Sequence, residues 1–183
     1  IINCAAELFD KDEMLFANVL GVYNLVKYCK TRNAKLIHFS SVSIYGNSYY
    51  GLTKKMGEEI IDYFTTENWV ILRMTNIYEP QGTGDSPACR FSRGEKEIFG
   101  NGKHLKDHIN IRDILQAVEL AIKDNWTGEI NLSSGVAISV NDVFSRLGTG
   151  KPIYLKDKKP DMLMSQLSNQ EALGLGWKPT WNI

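Results

Sequence analysis

The chain has no net charge: 21 Lys and Arg balance 21 Asp and Glu over 183 residues. No global field draws it to nucleic acid or to an anionic membrane, although local basic groups can still bind a phosphate. No apolar run approaches the ~20 residues of a membrane span, and no signal peptide opens the chain. The three cysteines, Cys4, Cys29 and Cys89, are odd in number and lack metal-ligand spacing, so they read as reduced thiols of a cytoplasmic protein. His104 and His108 stand four apart with no third ligand in view; no metal site is expected, and both read as polar surface beside a strand. Internal repeats, heptads and low-complexity segments are also absent. The absence with most consequence is a glycine-rich turn. No G-x-G-x-x-G follows a strand, so no complete pyrophosphate cradle can be read here, and Gly82/Gly84, Gly100/Gly102 and Gly148/Gly150 read as turns.

What is present is a 43% apolar chain, enough for a sizeable core, in which short apolar runs alternate with helical periods. Ile1 to Ala6 starts as a buried strand running into small residues. Leu15, Val19, Val22, Leu25, Val26 and Cys29 follow a helical period. Leu36, Ile37 and Phe39 mark a strand, Met56, Ile60, Ile61 and Phe64 one side of a helix, and Val70 to Met74 another buried strand. That alternation argues for a parallel sheet covered on both faces. From Gln81 to Asp107 the texture turns to loops and short elements. Ile114, Val118, Ala121 and Ile122 then give a helix, and Gly128 to Leu132 a short strand. Ser139 with Asp142, and Ser168 with Glu171, fit helix-opening capping boxes. The tryptophans read as packing residues, and His38, inside its strand, as a satisfied core histidine.

Chemistry concentrates between Leu36 and Lys54. The strand ends in Ser40-Ser41 and is followed by Val42-Ser43-Ile44-Tyr45-Gly46 and, after a short gap, Tyr50 and Lys54. Spacing of i,i+4 puts the phenol and the amine on one helix face. A free tyrosine has a pKa near ~10 and is a poor base at neutral pH. A lysine charge beside it favours phenolate, and a serine hydroxyl can share the same substrate oxygen. Such a set moves a proton on or off a carbinol oxygen while hydride leaves or joins its carbon. Tyr-x-x-x-Lys alone is common on solvated helices; the strand and the hydroxyls in front of it give it weight. Tyr49 is a rival for Tyr50, but its i+4 partner is Thr53, which cannot stabilise phenolate.

The same stretch resembles the short-chain dehydrogenase/reductase superfamily, and more narrowly its extended branch of NAD-dependent sugar-nucleotide epimerases and dehydratases. Ile1-Ile2-Asn3-Cys4-Ala5-Ala6 resembles the family's strand beside the nicotinamide. Asn18 with Leu20-Gly21 is similar to its Asn-x-x-Gly-Thr helix, with Val22 in place of threonine. Leu72 to Pro80 resembles Leu-Arg-x-x-Asn-x-Tyr-Gly-Pro, with Glu79 where glycine is usual. Lys106 to Asp113 resembles Arg-Asp-x-x-x-Val-x-Asp, and Leu173 to Pro179 contains the Leu-Gly-Trp-x-Pro ending.

The resemblance implies an α/β fold: a Rossmann-like doubly wound parallel sheet, its N-terminal part absent from the chain, with a smaller α/β C-terminal substrate domain. Residues 1–80, with 109–134 returning, would form the C-terminal half of the NAD(P)-binding domain, and 81–108 with 135–183 the substrate-binding domain. It implies Ser41, Tyr50 and Lys54 as catalytic residues, with Ser43 as fallback for the serine and Ser40 as a backbone neighbour of the cofactor. Cys4, Ala5, Ala6, Asn18, Tyr50, Lys54 and Ile77 would contact NAD or NADP; Ser41, Asn76, Lys106 and Lys159 would contact the substrate. Asn76 also reads as a strand-end cap, and both lysines as solvated surface. The implied activity is 4-epimerisation of a nucleotide sugar. Reduction of a keto-sugar or another carbonyl, and dinucleotide binding without turnover, are the alternatives. The family's 4,6-dehydratases carry Asp-Glu where this chain has Val42-Ser43, which disfavours dehydration. A homodimer through a four-helix interface including the Tyr50 helix is the implied assembly. The three residues between Gly46 and Tyr50, and the stretch from Gly82 to Arg90, are short for the family. The sequence thus reads as ordered segments without some flexible loops and an N-terminal piece, or as a true fragment that exposes a sheet edge.

Overall fold

Most strands form where the apolar runs predict them, but the expected buried strand at Ile1 to Ala6 is a two-residue edge strand whose Ile2 is exposed and whose buried residue is Asn3. The chain begins with β1 (Ile2–Asn3), then a helical run of α1 (Lys11–Leu15), a π-turn at Phe16–Leu20 and α2 (Gly21–Arg32). Asn33 ends α2 in the left-handed conformation (φ 48°) that a short polar residue tolerates. Strand β2 (Leu36–Ser41), a 3₁₀ turn (Val42–Tyr45), helix α3 (Tyr49–Phe64) and β3 (Trp69–Met74) follow. Then come β4 (Asn76–Tyr78), α4 (Pro87–Ser92), β5 (Glu97–Phe99), β6 (Leu105–Asn110) and α5 (Ile111–Lys123). The chain closes with β7 (Gly128–Leu132), β8 (Ala137–Ser139), α6 (Val140–Leu147), β9 (Ile153–Leu155), β10 (Met164–Ser165) and α7 (Gln170–Gly174). This computed structural model describes residues 1–65, 67–156, 164–180 and 183. They divide into two units, Ile1–Met74 with Val118–Asn131 and Thr75–Ala117 with Leu132–Ile183. The division at Met74 precedes the expected cut at residue 80.

In the first unit the sheet order is β1-β2-β3-β7, with β1, β2 and β3 parallel. Helices α2 and α3 cover it through Val22, Val26, Cys29 and Ile61, packed with Leu36 of β2 and Ile71 of β3. Each such side chain, fully buried, contributes roughly 1.5–3 kcal/mol. Arg73 of β3 meets Glu58 of α3 at 2.6 Å and Glu129 of β7 at 2.6 Å, and its Nη1 donates to the Tyr45 hydroxyl at 3.2 Å.

Three helix faces differ from the apolar periodicity. In α3, Met56 and Phe64 are exposed, and the buried positions are Gly51, Thr53, Lys54, Gly57, Glu58 and Ile61. In α5, Ile114, Ala117, Val118 and Ala121 are buried but Ile122 is exposed. Leu15 is likewise exposed, and the buried polar Asn18 takes its place on that face. Hydrophobicity alone misplaces the α3 face because small and hydrogen-bonded residues face the sheet there.

In the second unit β6 is central, with β4 and β10 parallel on either side and β8 paired antiparallel to β6. Strands β5 and β9 form a separate parallel pair. Phe91 of α4 meets Phe144 of α6 edge-on, ring centres 5.0 Å apart, in a core with Tyr78, Cys89, Ile98 and Val143. The Ser139–Asp142 capping box opens α6 as expected, whereas α7 begins after Asn169 with no side-chain cap. His108 is not surface: it lies in β6 and is buried. Trp177 is fully buried and donates its indole N–H to the Asp113 carbonyl at 2.8 Å.

The polar centre of this unit is Asp107. Its carboxylate accepts from the hydroxyls of Thr75 (3.0 Å) and Ser133 (2.6 Å) and from the N–H groups of Ser134 (3.0 Å) and Gly135 (3.1 Å). Asp107→Asn replaces one acceptor oxygen with a donor that faces donors. It is expected to destabilise the unit by about 2–4 kcal/mol, seen as a lower urea midpoint; an unchanged midpoint would contradict the assigned role.

Candidate active site

Helix α3 carries the phenol and the amine, and two glycines let it lie close enough to use them. A Cβ on Gly51 would lie 2.0 Å from the Ser43 carbonyl oxygen, and one on Gly57 2.7 Å from that of Asn18. The start of α3 therefore rests directly on the turn after β2 and on the π-turn before α2. Ser48 caps the helix, accepting from the Gly51 N–H at 3.0 Å. Asn18 holds the other contact: its amide donates to Thr53 Oγ1 (3.0 Å) and to the Glu7 carbonyl (3.0 Å), and its oxygen accepts from the Glu7 N–H (3.0 Å). The Asn18 side chain thus anchors the segment after β1 to α3.

At the carboxyl end of β2, Ser41 accepts from the Ser43 N–H at 3.1 Å, which caps the 3₁₀ turn. The Ser41 hydroxyl bonds the Tyr50 oxygen and so favours phenolate, but burial of the phenol is the larger effect and raises its pKa. Lys54 is only 2% exposed. Its Nζ donates to the Phe39 carbonyl at 2.6 Å and lies 3.4 Å from His38 Nε2. The amine is thus turned onto strand β2, and the expected lowering of the Tyr50 pKa by Lys54 is not the arrangement found. Burial draws the lysine down to about 8, against the pull of Glu58 and Cys4. Tyr49, the rival phenol, lies beneath the Lys11 ammonium, 5.7 Å from the ring centre.

Ser41, Tyr50 and Lys54 thus gather in the first unit, with Cys4, Ala5 and Ala6 exposed beyond the end of β1. In the second unit Asn76 donates to the Asp107 carbonyl (2.8 Å) and the Ser165 hydroxyl (2.7 Å), the bonds of a strand-end anchor. Ile77 is partly exposed on β4, and its carbonyl accepts from Ser86 at 2.8 Å. Lys106 is half-buried on β6. Lys159 lies outside the described residues.

Motif order and geometry now coincide with a known family, whose match runs over residues 1–132 and is described as NAD dependent epimerase/dehydratase. The chain belongs to that family. A curated relative, the UDP-glucuronate 4-epimerase of Thermodesulfobacterium geofontis, is 28% identical over 200 aligned positions. That alignment takes in 91% of this chain and 61% of the relative, so the chain spans under two thirds of the relative's length. Among solved structures, MoeE5 in complex with UDP-glucuronic acid and NAD superposes with a TM-score of 0.87 at 24% identity, over 99% of this chain and 74% of that one. The UDP-glucose 4-epimerase of Thermotoga maritima, with UDP-glucose, gives a TM-score of 0.84 at 23% identity, over 99% and 72%. The fold is therefore that of the family's α/β, Rossmann-like enzymes.

The residues present suit the nicotinamide end of a family cofactor. Small exposed residues follow β1 where parallel sheets take ligands, at the carboxyl ends of their strands. Beside them Ser40 Oγ is buried without a partner among the described residues. A pyrophosphate-binding turn is not in this sequence.

Sequence reasoning missed the pairing of Asn3 with His38, although a signal existed. The two polar residues sit in register on neighbouring parallel strands, and the Asn3 amide donates to His38 Nδ1 at 3.0 Å. Ser41→Ala is expected to raise the Tyr50 pKa further, because it removes the bond that favours phenolate. Titration of labelled tyrosine by carbon-13 NMR reads that shift, and an unmoved Tyr50 would remove Ser41 from the site.

Proposed function

We propose that the protein is an NAD-dependent 4-epimerase of a uridine-diphosphate sugar, with Tyr50, Ser41 and Lys54 as its catalytic residues. The observation that carries this reading is the Ser41–Tyr50 hydrogen bond at the carboxyl end of β2, with Lys54 buried one helical turn further on. Names of relatives support the substrate class, since they include epimerases of UDP-glucuronate and UDP-glucose. They support NAD over NADP in the same way, through structures solved with NAD.

As phenolate, Tyr50 takes the proton of the C4 hydroxyl, and Ser41 bonds the same oxygen while it becomes a carbonyl. Held beside Cys4, Ala5 and Ala6, NAD would supply the acceptor for the C4 hydride and its return to the opposite face of the 4-keto sugar. Tyr50 then gives the proton back, so the cycle consumes no cofactor. Its raised pKa makes the resting residue a phenol, whose own proton must first leave to solvent; a turn of the Lys54 ammonium from the Phe39 carbonyl towards the phenol would favour that loss. Val42 is buried and Ser43 carries no carboxylate, which leaves no acid or base at the positions a dehydratase uses.

Lys106 and Lys159 are assigned to the substrate diphosphate, as point charges without the bidentate fork of arginine, and Asn76 would join them only by giving up its bonds to the Asp107 carbonyl and the Ser165 hydroxyl. The first unit takes the dinucleotide and the second the sugar nucleotide. A homodimer would cover Leu52, Met56 and Tyr63 of α3, which are exposed at 53%, 39% and 82%.

Incubation with NAD and UDP-glucose or UDP-glucuronate, followed by proton NMR, is expected to show inversion at C4 without net NADH. Tyr50→Phe should lower the rate about 10²–10⁴-fold with the fold unchanged. Stoichiometric consumption of reduced cofactor by a 4-keto sugar would point to the reductase instead, and cofactor binding without turnover to a regulator.

A further inference from the structure

His38 lies in the middle of β2 and is wholly buried. Its surroundings fix which ring nitrogen carries the proton. The Ala5 N–H donates to Asn3 Oδ1 at 3.1 Å, so the Asn3 amide nitrogen faces His38 Nδ1, 3.0 Å away. An amide NH₂ can only donate, so Nδ1 accepts and is unprotonated. Burial, assisted by the Lys54 charge, pushes the imidazole down to about 3, so the ring is neutral at working pH. A neutral ring keeps one N–H, and here it must be on Nε2. That nitrogen is 3.4 Å from Lys54 Nζ.

The two charge states of Lys54 therefore meet different partners. Against an ammonium, Nε2–H is a donor facing a donor. Against a neutral amine, it donates to the nitrogen lone pair. The bond from Nζ to the Phe39 carbonyl is open to both states, since each retains an N–H. Other charged or titratable groups acting on Lys54 are Glu58 on its own helix and Cys4 beyond β1, and both favour the ammonium. Glu58 is already engaged by Arg73 at 2.6 Å, so much of its charge is spent elsewhere.

We propose that Asn3 and His38 form a relay of fixed tautomer that positions Lys54 and sets the pH at which its amine changes charge. Lys54 is then a switchable cation in the mildly alkaline range, where an ordinary lysine stays charged. Asn3 and His38 are positioning residues, acting on chemistry only through Lys54. The inference deepens the epimerase reading and rests on it for the role of Lys54, but its test needs neither cofactor nor sugar.

Nitrogen-15 NMR of histidine-labelled protein reads the tautomer directly, and the chain has only three histidines to resolve. His38 is expected with its proton on Nε2. Trace acetylation at a series of pH values, with mass spectrometry of the Lys54 peptide, reads the amine's titration. The wild-type midpoint is expected at about 8. Asn3→Leu frees the ring to move its proton to Nδ1 and present Nε2 as an acceptor to the ammonium. The Lys54 midpoint should then rise by about one pH unit or more. A His38 protonated on Nδ1 in the wild type, or a midpoint unmoved in the variant, overturns the proposal. If the variant does not fold, the wild-type tautomer decides alone. An absence of epimerase activity would leave the tautomer and the midpoint as measured, and a failure of either would leave the rate of epimerisation as measured.

Discussion

The close approach of helix α3 to the carboxyl end of β2 is the constraint on which the rest depends. It exists because Gly51 and Gly57 present no side chain to the backbone oxygens of Ser43 and Asn18. Overpacking a tight contact typically costs about 1–3 kcal/mol, and here it would also lift Tyr50 from Ser41 and Lys54 from Phe39. Fold and chemistry are thus joined at two positions that carry no functional group.

That joining explains an inversion on α3. The residues facing inward are glycines, a threonine, a lysine and a glutamate, while Leu52, Met56 and Phe64 look outward. A buried amine is tolerated because each neighbour has an assigned bond: the Phe39 carbonyl accepts, and His38 is held by Asn3. Burying a polar group without such partners costs several kcal/mol on transfer scales, which is why this face is so fully hydrogen-bonded.

Much of this was legible in the chain. Strands at Leu36 and Val70 follow from continuous apolar runs, and the α6 cap from Ser139 and Asp142. The grouping of Ser41, Tyr50 and Lys54 follows from a strand, a turn and an i,i+4 pair. Less legible was whatever depends on tertiary register. His108 read as polar surface because no third ligand stood near it in sequence, yet it lies buried in β6, next to an Asp107 whose four donors arrive from residues 75 and 133–135. Asn18 and Asn76 sit in recognisable motifs, but their amides are spent on backbone and hydroxyl partners. No local pattern announces that a side chain will be used up in this way. The direction of Lys54 was hidden for a related reason: helical spacing gives a shared face, and only the third dimension gives the carbonyl the amine chooses.

The Arg73 bridge bears on how the helix responds to its medium. One carboxylate it holds, Glu58, has a side chain 5% exposed, and the other, Glu129, is 42% exposed. Dissolved ions screen exposed charges that stand further apart than about 10 Å at 0.1 M and about 3 Å at 1 M, so only molar salt reaches a contact this short, and it reaches the open partner first. Brine should therefore slacken the tie to β7 while sparing the tie to α3. The element that bears the phenol and the amine is in this way insulated from ionic strength.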